Sequence, residues 1–123
     1  MLLTLWQRLR SIAHSDFSDI VVQTELLLST AGRVRKLRIH LLDGSFVDVW
    51  LSEEGDYAFH WERRFVDGTI YRHDNAPHWR WKSVSTFPKH FHNGTEDHVT
   101  ASQISDSPSE ALEEFLSFVR TKL

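Results

Sequence analysis

The chain has no cysteine, and proline and glycine are scarce, with three and five residues among 123. The absence of cysteine excludes disulfide bonds and thiolate metal sites, and it fits a reducing compartment. No proline- or glycine-rich tract marks a linker. The apolar residues 1–6 are followed by Arg8 and Arg10, and this run is too short for a secretory signal or a membrane span. We therefore predict a cytoplasmic protein without membrane contact.

Neither sign of charge dominates the chain, whose net charge is −3. Residues 33–92 carry ten Lys and Arg against eight acids and hold six of the eight histidines, whereas residues 93–123 carry two Lys and Arg against six acids. Proteins that bind nucleic acids usually have a stronger basic excess, so this distribution allows contact with RNA but does not require it. With 41% hydrophobic residues, the chain is long enough for a single domain, residues 1–123, with its own core.

Apolar and polar residues alternate through the middle of the chain, a pattern that predicts β-strands. Asp43-Gly44 and Asp67-Gly68 are strong signals for hairpin turns. The predicted strands are residues 20–29, 33–42, 45–51, 57–65 and 69–73. Successive hairpins give an antiparallel meander with one buried face. The predicted fold class is therefore α+β, a single domain with a sheet of about five strands flanked by an N-terminal and a C-terminal helix.

The two predicted helices are residues 2–13 and residues 108–122. The first has apolar residues at helical spacing, and the second follows Ser107 and Glu110, which fit a capping box with Pro108 at the first helical position. The apolar stripe of the second helix consists of Leu112, Phe115, Leu116, Val119 and Leu123.

One face of the predicted sheet is polar. Alternation places Lys36, Arg38 and His40 on it, and His60, Glu62 and Arg64 also share a face. Such a face can serve as a cationic platform for an RNA backbone, with Trp50 or Tyr71 stacking on a base. It can equally be a solvated surface with ion pairs between strands.

The segment from Asp74 to His92 holds three histidines, at positions 78, 90 and 92, beside an acid, an amide and two prolines. One interpretation is general acid–base cleavage of RNA by these histidines, with Lys82 or Lys89 stabilising the phosphorane. Another is a metal site, since alternate residues of an extended segment lie roughly 7 Å apart on one side. Its third ligand would be His78, His98 or Asp74. A third is a purely structural loop. No high-specificity metal motif is present, so we predict no metal and no other cofactor.

Two further features belong to this region. Asn93-Gly94 fits a two-residue hairpin turn that would place Asp97 opposite His90, where it would fix the tautomer of the imidazole. Trp79 and Trp81 alternate with basic residues and would either stack on bases or pack against the core or a partner.

The order of these features resembles the TumE-type toxins of prokaryotic toxin–antitoxin modules over residues 18–119. The resemblance is carried by the strand 57–61, by the block Asp74-Asn75-Ala76-Pro77-His78, and by the block 86–92, which reads TFPKHFH. The positions that it marks as functional are His60, Asp74, Asn75, His78, His90 and His92. This chain has Trp79 and Lys89 where the family commonly has further histidines.

The resemblance implies a toxin that is neutralised by direct contact with a cognate antitoxin, itself a DNA-binding protein. We combine it with the residue chemistry to predict a metal-independent endoribonuclease with His78, His90 and His92 as catalytic residues. Its predicted substrate-binding residues are Asp74, Asn75, His60, Arg64, Lys82 and Lys89. A homodimer is a further expectation. The alternative is a toxin without catalytic activity that binds a cellular target or partner protein through its aromatic and basic surface.

Overall fold

The structure is a computed structural model that describes residues 2–123; Met1, the first residue of the predicted domain, lies outside the described residues. The helices are α1 (Leu2–Asp16), α2 (Arg64–Asp67) and α3 (Pro108–Lys122). The strands are β1 (Val21–Leu28), β2 (Val34–Leu41), β3 (Phe46–Leu51), β4 (Tyr57–Arg63), β5 (Thr69–Asp74), β6 (His90–Gly94) and β7 (Val99–Ala101). No helix within this part of the chain is long and apolar enough to cross a membrane.

The strands form one antiparallel sheet in the order of the chain, β1 to β7. The α+β class, the meander and the two flanking helices are confirmed, but the sheet has seven strands rather than about five. The two strands absent from the prediction are β6, which reads HFHNG, and β7, which has only three residues. Asparagine and glycine are weak strand formers, so β6 forms because β5 offers a free edge rather than because of local propensity. β7 then pairs with β6.

The inner face of the sheet holds the core, beneath α1 and α3. Its strand residues alternate with polar residues and are fully or nearly fully buried: Leu37, Ile39, Leu41, Val47, Val49, Phe59 and Trp61. Leu9 of α1 and Phe115 of α3 are buried against them. Burial of each such side chain contributes roughly 1.5–3 kcal/mol, so this apolar face fixes which side of the sheet the helices cover.

Several local predictions need correction. β4 ends at Arg63, and residues 64–67 form the short helix α2, which leaves Phe65 64% exposed. Ser107 is the N-cap of α3 but makes no side-chain capping hydrogen bond; Glu110 instead accepts a hydrogen bond from the Oγ of Ser105. Pro108 does begin α3, as predicted. Leu123 is 41% exposed and lies outside the buried stripe of the helix.

The predicted turn at Asn93-Gly94 is also wrong in register. Both residues belong to β6, and the chain reverses over residues 95–98, so that His90 pairs with Ala101 and His92 with Val99. Asp97 is therefore not opposite His90. On the other side of β6, Asp74 of β5 pairs with His90.

The outer face of the sheet is open over β2 to β4 and partly covered at β5 and β6. The covering segment, residues 75–89, contains a single turn of 3-10 helix at Trp79–Trp81. Its Trp81 ring lies 5.8 Å from the ring of His92 and 6.3 Å from that of His90. Histidines that project from the outer face are buried there by this segment.

We expect Leu9→Ala to lower the free energy of unfolding by about 2–5 kcal/mol, because it leaves a cavity beneath the sheet at a fully buried position. Leu3→Ala, in the same helix but 57% exposed, is the matched control and should change stability by less than about 0.5 kcal/mol. Urea unfolding followed by circular dichroism measures both. Equal effects of the two substitutions would contradict the packing of α1 described here.

Candidate functional site

A row of polar side chains crosses the outer face from β2 to β6. The register pairs Arg38 with Asp48, Asp48 with His60, His60 with Arg72 and Arg72 with His92. Directly paired residues of adjacent strands project from the same face, so these five side chains are neighbours. The shared face predicted for Lys36, Arg38 and His40 is confirmed as part of this surface. That predicted for His60, Glu62 and Arg64 is confirmed for the first two, whereas Arg64 lies beyond the end of β4, in α2.

Asp48 holds the cations at the β2 end of the row. Its carboxylate accepts hydrogen bonds from the Nε of Arg38 at 2.8 Å and from the Nζ of Lys36 at 3.0 Å. Burial opposes ionisation of Asp48, but the bonds from Arg38 and Lys36 outweigh it and hold its pKa below the usual value. This end of the face therefore carries an ion-pair network, as the alternative interpretation of the sheet face expected.

Arg72 lies in the middle of the row and contacts three side chains. Its Nε donates to the Oδ2 of Asp74 at 3.1 Å and its Nη2 donates to the Oε1 of Glu96 at 2.6 Å. The Nη1 lies 3.2 Å from the Nδ1 of His60. Because a guanidinium can only donate, this His60 nitrogen accepts, and the Nε2–H then donates to Glu62 at 3.1 Å.

Burial lowers the pKa of His60, the bond to Glu62 opposes this shift, and the charge of Arg72 adds to it. The Arg64 side chain comes from α2 and reaches the same network, with Nη1 on Glu62 and Nη2 on Glu96. His60 and Arg64, both predicted to bind substrate, thus lie beside Arg72 on one surface.

Asp74, His90 and His92 form a buried cluster where β5 pairs with β6. The Nε2 of His90 lies 3.2 Å from the Oδ1 of Asp74, and the Nε2 of His92 lies 3.7 Å from its Oδ2. His90 is fully buried, His92 is 4% exposed and Asp74 is 8% exposed. The centroids of the two imidazole rings are 5.0 Å apart.

Backbone carbonyl groups fix the orientation of both imidazoles. The Nδ1 of His90 lies 2.8 Å from the carbonyl oxygen of Pro88, and that of His92 lies 2.8 Å from the carbonyl oxygen of Glu96. A carbonyl only accepts, so each Nδ1 carries the proton and each Nε2 faces Asp74. Burial lowers the pKa of His92, the bond to the Glu96 carbonyl opposes the shift, and the charge of Arg72 adds to it.

Three adjacent clefts on the outer face share lining residues, and we call them together the outer-face groove. The first, of about 370 Å³, lies between Lys36, Arg38, Trp50 and His60. The second, of about 420 Å³, shares Trp50 with the first and reaches Arg72, Asp74 and His78. The third, of about 340 Å³, shares these last three residues and adds His92 and Glu96. Asp74, His78 and His92 therefore border the same end of the groove.

Of the remaining predicted site residues, Asn75 lines the second cleft of the groove, whereas Lys82 and Lys89 lie elsewhere. Asn75 anchors the backbone, since its Oδ1 accepts from the amide of Tyr57 at 3.0 Å and its Nδ2 donates to the carbonyl of Gly55. The Nζ of Lys89 donates to the carbonyl of Ile104 at 2.6 Å, and the Nζ of Lys82 lies 4.8 Å above the exposed ring of Trp79. Neither lysine lines the groove.

Sequence reasoning missed Arg72 and Glu96. The position of Arg72 could have been inferred, because Asp74 lies just beyond the predicted strand 69–73, and in a strand extended by one residue the two side chains share a face. Glu96 lies in the turn between β6 and β7, and the sequence held no signal for it once these strands were read as a loop. His73 projects from the opposite face, where its ring stacks on Phe91 at 4.2 Å and burial lowers its pKa to about 4.

We expect Asp48→Asn to lower the free energy of unfolding at pH 7 by about 1–3 kcal/mol, because Lys36 and Arg38 lose a charged acceptor. The pKa of Asp48 is lowered in the folded state. Its stabilising contribution is therefore complete above the ordinary carboxyl pKa and is lost as the pH falls through the lowered value.

The difference in urea midpoint between wild type and Asp48→Asn should consequently be constant near neutrality and shrink below about pH 4. Glu53→Gln, at an exposed carboxylate in the turn between β3 and β4, is the control and should follow the wild type. A difference that stays constant down to pH 2 would show that the ion pairs of Asp48 are not its cause.

The comparison with known proteins gives one family. The sequence model described as Toxin TumE matches residues 7–123, a range that includes the whole sheet, the outer-face groove and α3. No curated protein and no solved structure matches the chain. The match confirms the resemblance indicated by the two histidine-containing blocks and extends it over nearly the full length. The chain belongs to the TumE toxin family.

Proposed function

We propose that this protein is an endoribonuclease toxin that cleaves single-stranded RNA bound along the outer-face groove. Membership of the family makes it a toxin of a toxin–antitoxin system with a cognate antitoxin as partner. The reaction on RNA is our proposal. The observation that carries it is the position of Asp74, His78 and His92 at one end of a groove that continues past Trp50 to Arg38.

The groove offers the two kinds of group that bind single-stranded RNA. Trp50 is 43% exposed on its wall and presents a ring on which a base can stack. Arg64 and Arg72 are paired with Glu96, whose side chain is 48% exposed. A phosphate group can therefore replace Glu96 on both guanidinium groups. Binding by such an exchange should be weak at high salt, because each phosphate contact releases counterions.

The three predicted catalytic histidines take different roles in this proposal. His78 is exposed at the groove and is free to donate a proton to the leaving 5′-oxygen. His92 and Asp74 border the groove and form the part of the centre that activates the attacking 2′-hydroxyl. His90 is fully buried, so it acts as a positioning residue through Asp74 rather than as a catalytic residue. Arg72 takes the role predicted for Lys82 or Lys89, the stabilisation of phosphorane charge.

The expected reaction is transesterification. The 2′-hydroxyl loses its proton to water beside Asp74 and His92, and its oxygen forms a bond to phosphorus. The bond from phosphorus to the 5′-oxygen breaks, and the leaving oxygen takes up a proton from His78. The products are a 2′,3′-cyclic phosphate and a 5′-hydroxyl end. New 5′-hydroxyl ends in total RNA are therefore the specific signature of this activity.

We expect His78→Ala and His92→Ala to lower the rate of RNA cleavage by about 10²- to 10⁴-fold, as the loss of a proton-transfer or activating group does. Purified proteins and single-stranded RNA give the rate, and induced expression without antitoxin gives growth arrest and 5′-hydroxyl ends in the same cells. His98→Ala is the matched control, since this exposed imidazole bonds only to the carbonyl of Asn93. Growth arrest by folded His78→Ala with intact RNA would contradict the proposal.

A second candidate function is binding of a cellular target without catalysis. One observation favours it: Trp79 is 70% exposed outside the groove, with the ammonium group of Lys82 above its ring. Such a ring provides contact area for a protein partner. In the same way, direct contact with a DNA-binding antitoxin and the formation of a homodimer stay predictions.

Two tryptophan substitutions separate these functions. Trp50→Ala should weaken RNA binding by about 1–3 kcal/mol, the usual contribution of one base stacked on an aromatic ring, and Trp79→Ala should leave it unchanged. Fluorescence anisotropy with a labelled single-stranded RNA measures the affinity, and growth after induction measures toxicity. Loss of toxicity in Trp79→Ala alone would favour target binding through the exposed segment and count against the groove.

A further inference from the structure

We propose that Asp74, His90 and His92 bind a divalent transition-metal ion, for which Zn²⁺ is the reference probe. Each residue directs one ligand atom into a common space, and these three atoms lie within 4.8 Å of one another. Binding of the ion is argued from this geometry alone, whereas its part in catalysis rests on the proposed function.

The Nε2 of His90 is the strongest single indication. This atom is completely buried and has no hydrogen-bond partner in the described part of the chain. The Oδ1 of Asp74 is only 3.2 Å away but does not form a hydrogen bond with it. The Nδ1 of His90 carries a proton, which it donates to the carbonyl of Pro88. In a neutral His90 the lone pair of Nε2 therefore points towards a carboxylate oxygen of Asp74. An unsatisfied buried group of this kind is destabilising, and a cation between the two atoms would satisfy it.

The separations between ligand atoms suit a small ion. Ligands at the usual zinc distances in a tetrahedral arrangement lie roughly 3.4 Å from one another. The Oδ1 of Asp74 lies 3.2 Å from the Nε2 of His90, and its Oδ2 lies 3.7 Å from the Nε2 of His92. One ligand atom from each residue lies within 4.8 Å of the other two, so side-chain rotations that bring these atoms closer would place all three around one ion.

The groups behind the ligands have the arrangement that metal sites require. Metal-binding imidazoles usually donate their second N–H to a carbonyl or carboxylate, which fixes the tautomer. His90 and His92 both do so, to Pro88 and Glu96. The Oδ1 of Asp74 also accepts from the amide of Ala76 at 3.0 Å. The Asp74 carboxylate is thus held in place from behind.

Arg72 is the cation in direct contact with Asp74, and its charge opposes the binding of an ion. Its Nε lies 3.1 Å from the Oδ2 of Asp74. The carboxylate of Glu96 offsets that charge at 2.6 Å from the Nη2 of Arg72 and also lies 3.7 Å from the Nδ1 of His92.

The second guanidinium on Glu96 is that of Arg64, which is also paired with Glu62. The three carboxylates and two guanidinium groups of this network leave one net negative charge beside the two imidazoles, which favours a divalent cation.

The ligand set selects the kind of ion and leaves room for chemistry. Two imidazoles and one carboxylate suit zinc and its neighbours in the first transition series, whereas Mg²⁺ and Ca²⁺ prefer oxygen ligands. Three protein ligands leave a coordination position open, as in catalytic zinc sites. His92 and Asp74 border the groove, so that this position faces it. There the ion would bind the 2′-hydroxyl and lower its pKa, so that its proton passes to water before attack on phosphorus.

The test is metal binding by the full chain, first freed of metal by chelation and dialysis. Calorimetric titration with Zn²⁺ should give one ion per chain, and Co²⁺ should give the visible absorption bands of a four-coordinate site. Asp74→Asn and His90→Ala should each weaken binding by more than about 100-fold, since even outer-shell substitutions cost 10- to 100-fold. His98→Ala, outside the cluster, should bind like the wild type. Circular dichroism and a cooperative thermal transition show whether each variant is folded. If His90→Ala does not fold, Asp74→Asn still tests the site, because it keeps the shape of the side chain.

Two results would overturn the inference. Folded wild-type protein that binds no Zn²⁺ at 1 mM would show that a proton alone satisfies His90 and Asp74. Equal affinity in wild type and Asp74→Asn would assign the ion to other surface groups. The result of the metal-binding test can be distinguished from the result of the RNA-cleavage test. Specific metal binding without RNA cleavage would remove only the reaction, and cleavage by chelator-treated protein that binds no metal would remove only the ion.

Discussion

The pairing of β5 with β6 is the interaction on which the candidate site depends. It places Asp74 opposite His90 and Arg72 opposite His92, so that residues far apart in sequence become neighbours on one face. A shift of one residue in this pairing would turn the histidines towards the core side and leave Asp74 alone. The register is fixed from both sides, because Phe91 packs against Phe118 on the inner face while the imidazoles are held on the outer face.

The covering segment buries the histidines that the pairing of β5 with β6 places on the outer face. Residues 75–89 leave the end of β5 at Asp74 and return to β6 at His90, so the segment crosses the outer face where the histidines project. Trp81 packs on both imidazoles, and the carbonyl of Pro88 fixes the ring of His90. The complete burial of His90 and the small remaining exposure of His92 therefore have one origin.

The distribution of charge along the sequence differs from its distribution over the two faces of the folded sheet. Residues 93–123 carry an acidic excess, but Glu110, Glu113 and Glu114 belong to α3, which covers the opposite face of the sheet. In the groove itself the cations are balanced by carboxylates, as with Arg38 and Asp48. The charged side chains of the outer face are therefore largely held in ion pairs.

The sequence by itself determined the first five strands, both flanking helices, the family and the residue types of the site. These follow from local alternation, from Asp-Gly turns and from two motif blocks, all of which act over a few residues. It did not determine β6 and β7, the reversal beyond Gly94 or the cap of α3. β6 depends on its pairing with β5, which is distant in the chain, whereas the reversal and the cap depend on local hydrogen bonds that compete with the predicted ones. Only the tertiary structure decided that His90 and His92 meet Asp74 and Arg72 while Lys82 and Lys89 do not. The physical reason is that hydrogen bonding along a free strand edge, with burial under residues 75–89, outweighed the weak strand propensity of the histidine-rich segment.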